Sequence, residues 1–333
     1  MIKKPRVALL VGGTSPEREV SKSSGKGVLG ALKQLSYPTK VIDPAYGKNQ
    51  PEDENLFFLP DNYSEISNRN FVTAINSKMF DDIDVVFSAL HGRWAEDGIL
   101  QSLLELRGLN YTGSKVLASA MAMDKSIAKT IFRNAGVKTA EWLTVSKNHY
   151  HIKSIIEGIQ SRFGFPCVIK PNDQGSTVGL SLVRNNSELE QACELAYTFS
   201  DKILIEEFIA GRELTVAILE GDALPVLEII PKSGFYDYES KYTAGMSEYI
   251  VPAQIPKDVF KSVQEQALLA FNSLGCEGYS RVDFRLNDAH QTFCLEVNTL
   301  PGMTPTSLVP KMAKAVGISF EELIDRIIKQ ALR

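Results

Sequence analysis

The strongest constraint on the fold is an apolar run near the start of the chain that ends in two glycines. Residues 7–11 are all apolar, and Gly12 and Gly13 follow them directly. A short, fully apolar run is typical of a strand that is buried on both faces, as in a parallel sheet. The segment Thr14-Ser-Pro-Glu17 then carries a helix-start pattern: a hydroxyl as cap, a proline in the first turn, and a glutamate three residues after the threonine. The chain therefore begins as strand, turn and helix.

The same alternation continues through the first third of the chain. Strands are predicted at 39–42 and 84–90, with a loop region at 44–70 and a helix at about 97–107. Strand and helix alternation predicts a mostly parallel sheet. We therefore expect an N-terminal α/β domain over residues 1–113.

The pattern changes beyond this domain. A helix at about 124–135 is followed by two short strands within 166–183, which are joined by a glycine loop. We expect a central subdomain over 114–208 and a C-terminal subdomain over 209–333. The remaining predicted elements of the central subdomain are a helix at about 187–199 and a strand at 203–207. The C-terminal subdomain is predicted to contain antiparallel strands at 215–219, 225–230, 280–286 and 292–297, a helix at about 257–274, and two helices at the end of the sequence.

Composition and charge exclude several classes of protein. The chain has 333 residues, 44% of them hydrophobic, which is enough for two domains or three small ones and a large core. A net charge of −4 argues against nucleic-acid binding, and no apolar run approaches the length of a membrane span. The four cysteines are far apart and form no metal-binding pattern, so we expect reduced thiols and a cytoplasmic protein.

A predicted hairpin near the C-terminus collects polar side chains. A four-residue loop at 287–290 would pair Leu286 with Gln291, so that Asp283 faces Cys294 and Arg281 faces Glu296. Side chains two residues apart in a strand share a face. One face would then carry Arg281, Asp283, Glu296 and Asn298, and the other Val282, Phe284, Phe293, Leu295 and Val297.

The polar face of this hairpin has two interpretations. A half-buried hairpin normally has one solvated face, which needs no ligand. Asp283, Glu296 and Asn298 are also three oxygen donors of the kind that Mg²⁺ prefers. The hairpin alone leaves both interpretations open.

Two lysines and a glycine loop suggest a phosphate site. Lys170 ends a predicted strand, and Gly175-Ser-Thr-Val-Gly179 follows it. Glycines let backbone N–H groups approach an anion closely, although the same pattern is common in ordinary hairpin turns. Lys125, near a helix start, is by itself more typical of an exposed lysine.

Three acidic residues follow the strand at 203–207 or end it. Glu206 and Glu207 close the apolar run, and Glu213 comes six residues after the second of them. They could hold a nucleotide at a junction between subdomains, but an ordinary strand end with solvated acids explains them equally well.

Taken together, these motifs resemble the ATP-grasp ligases, and among them the D-alanine–D-alanine ligase family. The resemblance runs over essentially the whole chain. The motifs in chain order are Gly12-Gly-Thr-Ser-Pro-Glu-Arg-Glu-Val-Ser21, Ala89-Leu-His91-Gly-Arg-Trp-Ala-Glu-Asp-Gly98, Tyr111-Thr-Gly-Ser114, Met123-Asp-Lys125, Val168-Ile-Lys170-Pro171, Gly175-Ser-Thr-Val-Gly179, Phe235-Tyr-Asp-Tyr-Glu-Ser-Lys-Tyr242, Arg281-Val-Asp283 and Glu296-Val-Asn298-Thr-Leu-Pro-Gly302-Met303.

The resemblance implies an α/β fold of the ATP-grasp type, in which two subdomains after the N-terminal domain clamp ATP. It implies an ADP-forming ligation of two D-alanines through an acyl phosphate, for peptidoglycan precursor synthesis, cell wall biogenesis and cell shape. ATP and two Mg²⁺ or Mn²⁺ ions would be the cofactors, and the protein would be a homodimer.

The resemblance also assigns nucleotide and metal roles to residues of this chain. Lys125 and Lys170 would bind ATP phosphates, and the loop with Gly175, Ser176 and Thr177 would close over them. Arg281 would stabilise the developing oxyanion. The adenine and ribose would be held by Glu206, Glu207 and Glu213, and the metal ions by Asp283, Glu296 and Asn298.

On the amino-acid side, the resemblance implies that Glu17 binds the ammonium of the first D-alanine, unless its carboxylate caps the helix. Ser176 and Tyr242 would link to Glu17, and Lys241 would also contact substrate. His91 would lie near the first carboxylate. The second D-alanine would be held by Gly302, Ser307 and Leu308.

Residues 233–250 are expected to form a lid, which would keep water from the acyl phosphate. Tyr242 implies D-alanine rather than D-lactate as the second substrate. Two other functions remain open: an ATP-grasp carboxylate–amine ligase with a different second substrate, and a nucleotide sensor without catalysis.

Overall fold

The N-terminal part of the chain is built on a four-stranded parallel sheet. The structure, a computed structural model, describes residues 4–232 and 246–333. The strand order is β2-β1-β3-β4, and every neighbouring pair is parallel. The apolar run that opens the chain forms the buried strand β1, as predicted. The strands are β1 (Val7–Leu10), β2 (Thr39–Ile42), β3 (Val85–Ser88) and β4 (Asn110–Tyr111).

Three helices belong to this part: α1 (Arg18–Gln34), α2 (Arg69–Ile75) and α3 (Ile99–Leu106). The predicted loop at 44–70 contains short 3-10 turns at 44–46 and 54–58, and α2 begins at its end.

The predicted helix start at Thr14 is wrong. The helix begins at Arg18, and Glu17 is its N-cap residue without a side-chain capping bond. The reason is Ser15, whose hydroxyl donates to the carbonyl of His91 at 2.6 Å and accepts the Glu17 N–H at 3.2 Å. These bonds tie the segment before α1, as a turn, to the segment that follows β3, and the Glu17 carboxylate accepts from Ser176 instead of capping α1.

The central part is a separate antiparallel sheet in the order β5-β8-β6-β7. Its small core includes Cys167, Cys193 and Ile205, which are all buried. The elements are β5 (Trp142–Ser146), α6 (Ile152–Arg162), β6 (Cys167–Pro171), β7 (Ser181–Val183), α7 (Asn186–Tyr197) and β8 (Lys202–Glu207).

The C-terminal part is a second antiparallel sheet, ordered β12-β11-β9-β13-β14, with β10 paired to β9. No helix within the described ranges is long and apolar enough to cross a membrane. The elements are β9 (Arg212–Leu219), β10 (Asp222–Ala223), β11 (Leu227–Pro231), β12 (Ser247–Ile250), α8 (Lys257–Ser273), β13 (Tyr279–Leu286), β14 (Thr292–Asn298), α9 (Leu308–Ala315) and α10 (Phe320–Ala331).

The two faces of this C-terminal sheet pack into different cores. Leu219, Leu227 and Tyr279 share one continuous core with the N-terminal sheet and with α9 and α10. The opposite face packs against α8 and against two helices from the middle of the chain, α4 (Val116–Met123) and α5 (Lys125–Asn134). The sequence placed α4 and α5 in the central subdomain, whereas their apolar side chains pack with the C-terminal sheet.

The register of the β13–β14 hairpin differs from the predicted one. Asp283 pairs with Glu296 and Arg281 with Asn298, while Phe284 pairs with Cys294. Leu295 is therefore an extra residue, and the irregularity is a β-bulge.

The bulge also changes which side chains share a face. Cys294 joins Val282, Phe284 and Val297 in the core of the C-terminal sheet. Phe293 packs elsewhere, with Ala140 and Ile209. The prediction that Phe293 and Leu295 share the apolar face is wrong, because one inserted residue reverses the alternation on its far side.

Candidate active site

Two adjoining cavities lie where the three parts of the chain meet. The first has a volume of about 460 Å³, and the second, between the central and C-terminal sheets, about 120 Å³. Both cavities are lined by Lys125, Gly175, Ser176 and Glu296. These four residues mark the junction of one continuous site.

The predicted residues separate between the two cavities. Lys241 and Tyr242 lie outside the described residues, as do positions 233–245 of the expected lid. The first cavity is lined by Glu17, His91, Arg281, Asn298, Gly302, Ser307 and Leu308, which the sequence assigned to the amino acids, the oxyanion or the metal. The second is lined by Lys170, Thr177, Glu206, Glu207, Glu213 and Asp283, which were assigned to the nucleotide or the metal.

A hydrogen bond links Glu17 to the glycine loop. The hydroxyl of Ser176 donates to the Glu17 carboxylate across 159 positions of sequence. The close approach depends on Gly92, where a Cβ atom would lie 2.5 Å from Glu17 Oε2. The first cavity and the loop that borders the second are thus joined directly.

The glycine loop has an unusual backbone. Ser176 and Thr177 both have positive φ angles, +52° and +59°. This region is strained for residues with a side chain, and most of all for a β-branched one. Such strain is concentrated at ligand clamps, which agrees with a loop that closes over phosphates.

Lys125 lies at the junction of the cavities. It is the first residue of α5, and its ammonium donates to the carbonyl of Gln174 at 2.8 Å. It also pairs with Glu296 at 3.1 Å. Burial disfavours the ammonium charge, but the nearby carboxylates of Glu296, Glu96 and Glu206 together hold the pKa of Lys125 above its usual range. A permanent cation therefore faces both cavities.

A buried charge cluster borders the second cavity. The Glu206 carboxylate lies 2.9 Å from the ammonium of Lys129 and 3.3 Å from that of Lys170. Burial alone would raise the pKa of Glu206, but the two lysines hold it below its usual range. Burial also lowers the pKa of Lys129, despite the neighbouring carboxylate.

Sequence reasoning missed Lys129. Its spacing of four from Lys125 on one helix could have suggested it, because residues four apart share a helix face. Its ammonium also donates to Thr139 at 2.5 Å, and the Thr139 hydroxyl donates to the carbonyl of Cys294 at 2.7 Å.

The predicted metal ligands lie together on the hairpin. Asp283 and Glu296 are direct cross-strand partners, and Asn298 follows two residues along the same strand. The Arg281 guanidinium donates twice to Asp283, at 2.8 and 2.7 Å. Thr215 donates to the same carboxylate at 2.6 Å.

The donor set fits a hard cation such as Mg²⁺ or Mn²⁺, which binds through oxygen atoms. Asp283 lines the second cavity, Asn298 the first, and Glu296 both. Within 4–232 and 246–333, no group of three His, Cys, Asp or Glu side chains is arranged to hold a metal. The predicted set contains only two carboxylates, and its third donor is an amide.

His91 is held at both ring nitrogens. Its Nε2 lies 3.1 Å from the Ser24 hydroxyl, and its Nδ1 lies 3.4 Å from the Glu96 carboxylate. The Ser24 hydroxyl also accepts the backbone N–H of Met303 at 3.2 Å. Ser24 and Glu96 both line the first cavity, and sequence reasoning assigned neither a role.

A turn from Gly302 to Ser307 forms another wall of the first cavity. Ser307 is the N-cap residue of α9, and its hydroxyl accepts the N–H of Thr304 at 3.1 Å. A Cβ atom at Gly302 would lie 3.2 Å from that hydroxyl, so glycine permits the tight turn. Free N–H groups at a helix start favour an anion such as a carboxylate.

Leu295 and Arg285 are among the lining residues of the second cavity that sequence reasoning missed. Leu295, the extra residue of the bulge, lines it instead of the core. Arg285 lines it as well, and pairs with Glu213 at 3.4 Å. Arg285 is two positions from Asp283 on one strand, so the alternation that placed Asp283 on the polar face could have placed Arg285 there too.

Two antiparallel sheets that enclose a cavity of lysines and carboxylates, preceded by a parallel α/β part, define an ATP-grasp ligase. Comparison with known proteins gives the particular family. The profile for "D-ala D-ala ligase N-terminus" matches residues 6–114, and that for "D-ala D-ala ligase C-terminus" matches 131–329.

Relatives match over nearly the whole chain. The D-alanine–D-alanine ligase of Halalkalibacterium halodurans is 44% identical over 333 residues, which covers 98% of this chain and 99% of that protein. The D-alanine–D-alanine ligase of Geobacter sulfurreducens is 41% identical and covers 99% of this chain and 95% of that protein. The chain therefore belongs to the D-alanine–D-alanine ligase family, whose activity is the ATP-dependent joining of two D-alanines for peptidoglycan synthesis.

Solved structures agree with the assignment. The D-alanine–D-alanine ligase of Bacillus anthracis complexed with ATP has a TM-score of 0.78 and 30% identity, covering 99% of this chain and 98% of that one. The VanG D-Ala:D-Ser ligase of Enterococcus faecalis has a TM-score of 0.82 and 30% identity, covering 98% and 99%. The fold is thus shared by ligases whose names give different second amino acids.

Proposed function

We propose that this chain joins two D-alanines at the junction of the two cavities and uses ATP. The carboxylate of the first D-alanine attacks the γ-phosphate and displaces ADP, which forms an acyl phosphate. The amino group of the second D-alanine then attacks the acyl carbon, and phosphate leaves. The substrate carboxylate, ATP and the released phosphate are all anions that must be neutralised and aligned. Positioning and electrostatics therefore carry most of the catalysis.

The observation that carries this proposal is the sharing of Lys125, Gly175, Ser176 and Glu296 by the two cavities. A reaction between a carboxylate and a γ-phosphate needs one point that both substrates reach. The four shared residues border that point with a cation, a carboxylate and a glycine loop.

In the second cavity, Lys125 and Lys170 bind the ATP phosphates, and Gly175, Ser176 and Thr177 close over them. Glu206, held as a carboxylate by Lys129 and Lys170, accepts from the adenine amino group. Glu207 lines the same cavity and contributes to the adenine site, and Glu213 accepts from the ribose hydroxyls.

Asp283, Glu296 and Asn298 would hold two Mg²⁺ or Mn²⁺ ions. When bound, these ions neutralise charge on the β- and γ-phosphates during transfer. The double hydrogen bond from Arg281 orients Asp283, and the same guanidinium faces the first cavity, where it stabilises the oxyanion at the acyl carbon.

In the first cavity, Glu17 binds the ammonium of the first D-alanine and His91 lies near its carboxylate. Gly302, Ser307 and Leu308 hold the carboxylate of the second D-alanine, partly through N–H groups at the start of α9. Lys241 and Tyr242, outside the described residues, stay proposed substrate contacts on the resemblance to the family alone.

The experiment is phosphate release from ATP and Mg²⁺, with D-alanine, L-alanine, D-serine, D-lactate or no addition. We expect release that requires D-alanine, together with the D-alanyl-D-alanine mass. A product that contains D-serine or D-lactate would indicate a ligase with a different second substrate. If the chain binds ATP but releases no phosphate with any of the added compounds, it would be a nucleotide sensor.

We also propose a homodimer in the cytoplasm. An exposed apolar face of α3, with Ile99 at 43% and Leu106 at 88% exposure, is available for a subunit contact. Light scattering should give twice the chain mass, and Leu106→Lys should lower it. A monomeric mass at micromolar concentration would contradict the dimer.

A further inference from the structure

Arg285 is a charged residue of the second cavity to which the proposed mechanism gives no role. It lies on β13, and its side chain is only 20% exposed. Its Nε donates to the carbonyl of Ile209 at 3.0 Å, and its Nη2 donates to the carbonyl of Gly211 at 2.7 Å. Its Nη1 lies 3.4 Å from Glu213 Oε2. One planar guanidinium thus joins three groups.

Two of these groups belong to the connection between β8 and β9, where the chain passes from the central to the C-terminal sheet. Ile209 lines the second cavity. The connection lies tightly against β13, because a Cβ atom at Gly211 would come within 2.1 Å of the carbonyl oxygen of Leu286. The Arg285 fork therefore fixes the position of the backbone that passes the nucleotide cavity.

The third group is the Glu213 carboxylate. Glu213 and Arg285 are direct cross-strand partners on β9 and β13, and both line the second cavity. A guanidinium paired with a carboxylate limits the rotation of that carboxylate. A carboxylate held in one orientation is a good acceptor for the two neighbouring hydroxyls of a ribose.

We propose that Arg285 is a positioning residue for the ribose of the nucleotide. It orients Glu213 toward the 2′- and 3′-hydroxyls and fixes the 209–211 connection beside the cavity. The inference rests on the proposed function, since it assigns a further residue to the same nucleotide cavity. It predicts that preference for a ribonucleotide over a 2′-deoxyribonucleotide depends on Arg285.

The test compares ATP with 2′-deoxy-ATP in Arg285→Met, which removes the charge and keeps the length, and in Arg285→Lys, which keeps the charge without the fork. In the unaltered chain we expect ATP to have the higher kcat/KM by roughly tenfold. In Arg285→Met, the KM for ATP should rise about tenfold, equivalent to roughly 1.4 kcal/mol. The preference for ATP should fall toward one, and the KM for D-alanine should stay within about twofold. Arg285→Lys should lie between the two.

Arg212→Met is the matched control. Arg212 lies one position before Glu213 on the same strand, and donates twice to Glu228 at 2.6 Å, outside both cavities. We expect this variant to keep the ATP preference even where its thermal stability falls. An unchanged preference in Arg285→Met, an equal loss in Arg212→Met, or no preference in the unaltered chain would overturn the proposal.

Binding measurements separate this proposal from the proposed function. Titration calorimetry with ATP and 2′-deoxy-ATP needs no turnover, so it tests Arg285 even if D-alanine gives no phosphate release. If Arg285→Met does not fold, the same comparison is made with Arg285→Lys. An ATP preference in Arg285→Lys as large as in the unaltered chain would contradict the need for the planar guanidinium.

Discussion

The ammonium of Lys125 lies 3.1 Å from the carboxylate of Glu296, at the point where the two cavities join. The sequence assigned the first residue to phosphate and the second to metal. Their pairing gives the junction one positive and one negative group. These charges complement the two components of a metal–nucleotide complex.

Glu296→Gln should leave the chain folded and lower kcat by on the order of 100-fold, because one negative charge is removed from the metal-binding set. The Mg²⁺ concentration for half-maximal rate should rise. Steady-state kinetics at several Mg²⁺ concentrations, with thermal unfolding, checks this. Glu265→Gln, an exposed position on α8, is the control. Full activity in Glu296→Gln would refute the metal role.

Glu17→Gln should raise the KM for D-alanine by roughly tenfold, because the ammonium loses an ionic acceptor. Thermal stability should change little, since Glu17 makes no capping bond. Ser176→Ala should act on the same property, and the double variant should show less than the sum of both effects. A loss of stability without a change in KM would restore the capping interpretation.

Lys129→Met should lower the free energy of unfolding by roughly 3 kcal/mol, because it removes one cation from the buried Glu206 carboxylate. Urea denaturation of this variant and of the double variant with Glu206→Gln measures it. The double variant should be the more stable of the two, because no ionised carboxylate then remains buried. The opposite order would contradict the charge-cluster interpretation.

The same cluster predicts a pH dependence. The pKa of Glu206 is below its ordinary value of 4.5 in the folded chain. Its contribution to stability is therefore present above pH 4.5 and is lost as the pH falls through the lower folded value. In Lys129→Met, that loss should begin at a higher pH. Urea denaturation between pH 3 and 7 checks the direction. If the free energy of unfolding falls over the same acidic pH range in Lys129→Met as in the unaltered chain, the prediction is contradicted.

The contacts of His91 predict its tautomer. The Glu96 carboxylate beside Nδ1 only accepts, so we expect the ring proton on Nδ1, which leaves Nε2 to accept from the Ser24 hydroxyl. Nitrogen NMR of the chain, with His91→Gln for assignment, should show a proton on Nδ1 and none on Nε2 at a pH where the ring is neutral. Ser24→Ala should mix the tautomers. A proton on Nε2 in the unaltered chain would contradict this network.

Local patterns were sufficient for most strands and helices. The apolar run of β1, the spacing of α8 and the alternation along β13 need no distant contact to be recognised. The resemblance assigned residues that the fold then brings into two cavities, although Glu17 and Ser176 are 159 positions apart.

The register of the hairpin could not be predicted from its own residues. The backbone N–H of Cys294 donates to the carbonyl of Lys138, and its carbonyl accepts from Thr139. These partners lie more than 150 positions away, and they are the contacts of the residue beside the bulge. The alternation of apolar and polar residues along the hairpin carries no information about these distant contacts. For that reason the sequence placed Leu295 on the apolar face.

The sheet against which α4 and α5 pack could not be predicted for a similar reason. Both helices carry an apolar face, but that face does not indicate which sheet covers it. Phe132 shares a core with residues of β9, β13 and β14 that follow it by more than 80 positions. The sequence predicted one of these helices, at about 124–135, but not the sheet that covers it.

The core beneath the central sheet is separate from the core that the N-terminal sheet shares with α9 and α10. Val168, which lines the nucleotide cavity, lies on β6 of the central sheet, and Tyr249 and Leu308, which line the amino-acid cavity, pack against the core of the N-terminal sheet. No residue that the structure describes belongs to both cores. Away from the four shared residues, the walls of the amino-acid cavity can therefore change during evolution, and the second substrate with them, while the residues that bind ATP are kept.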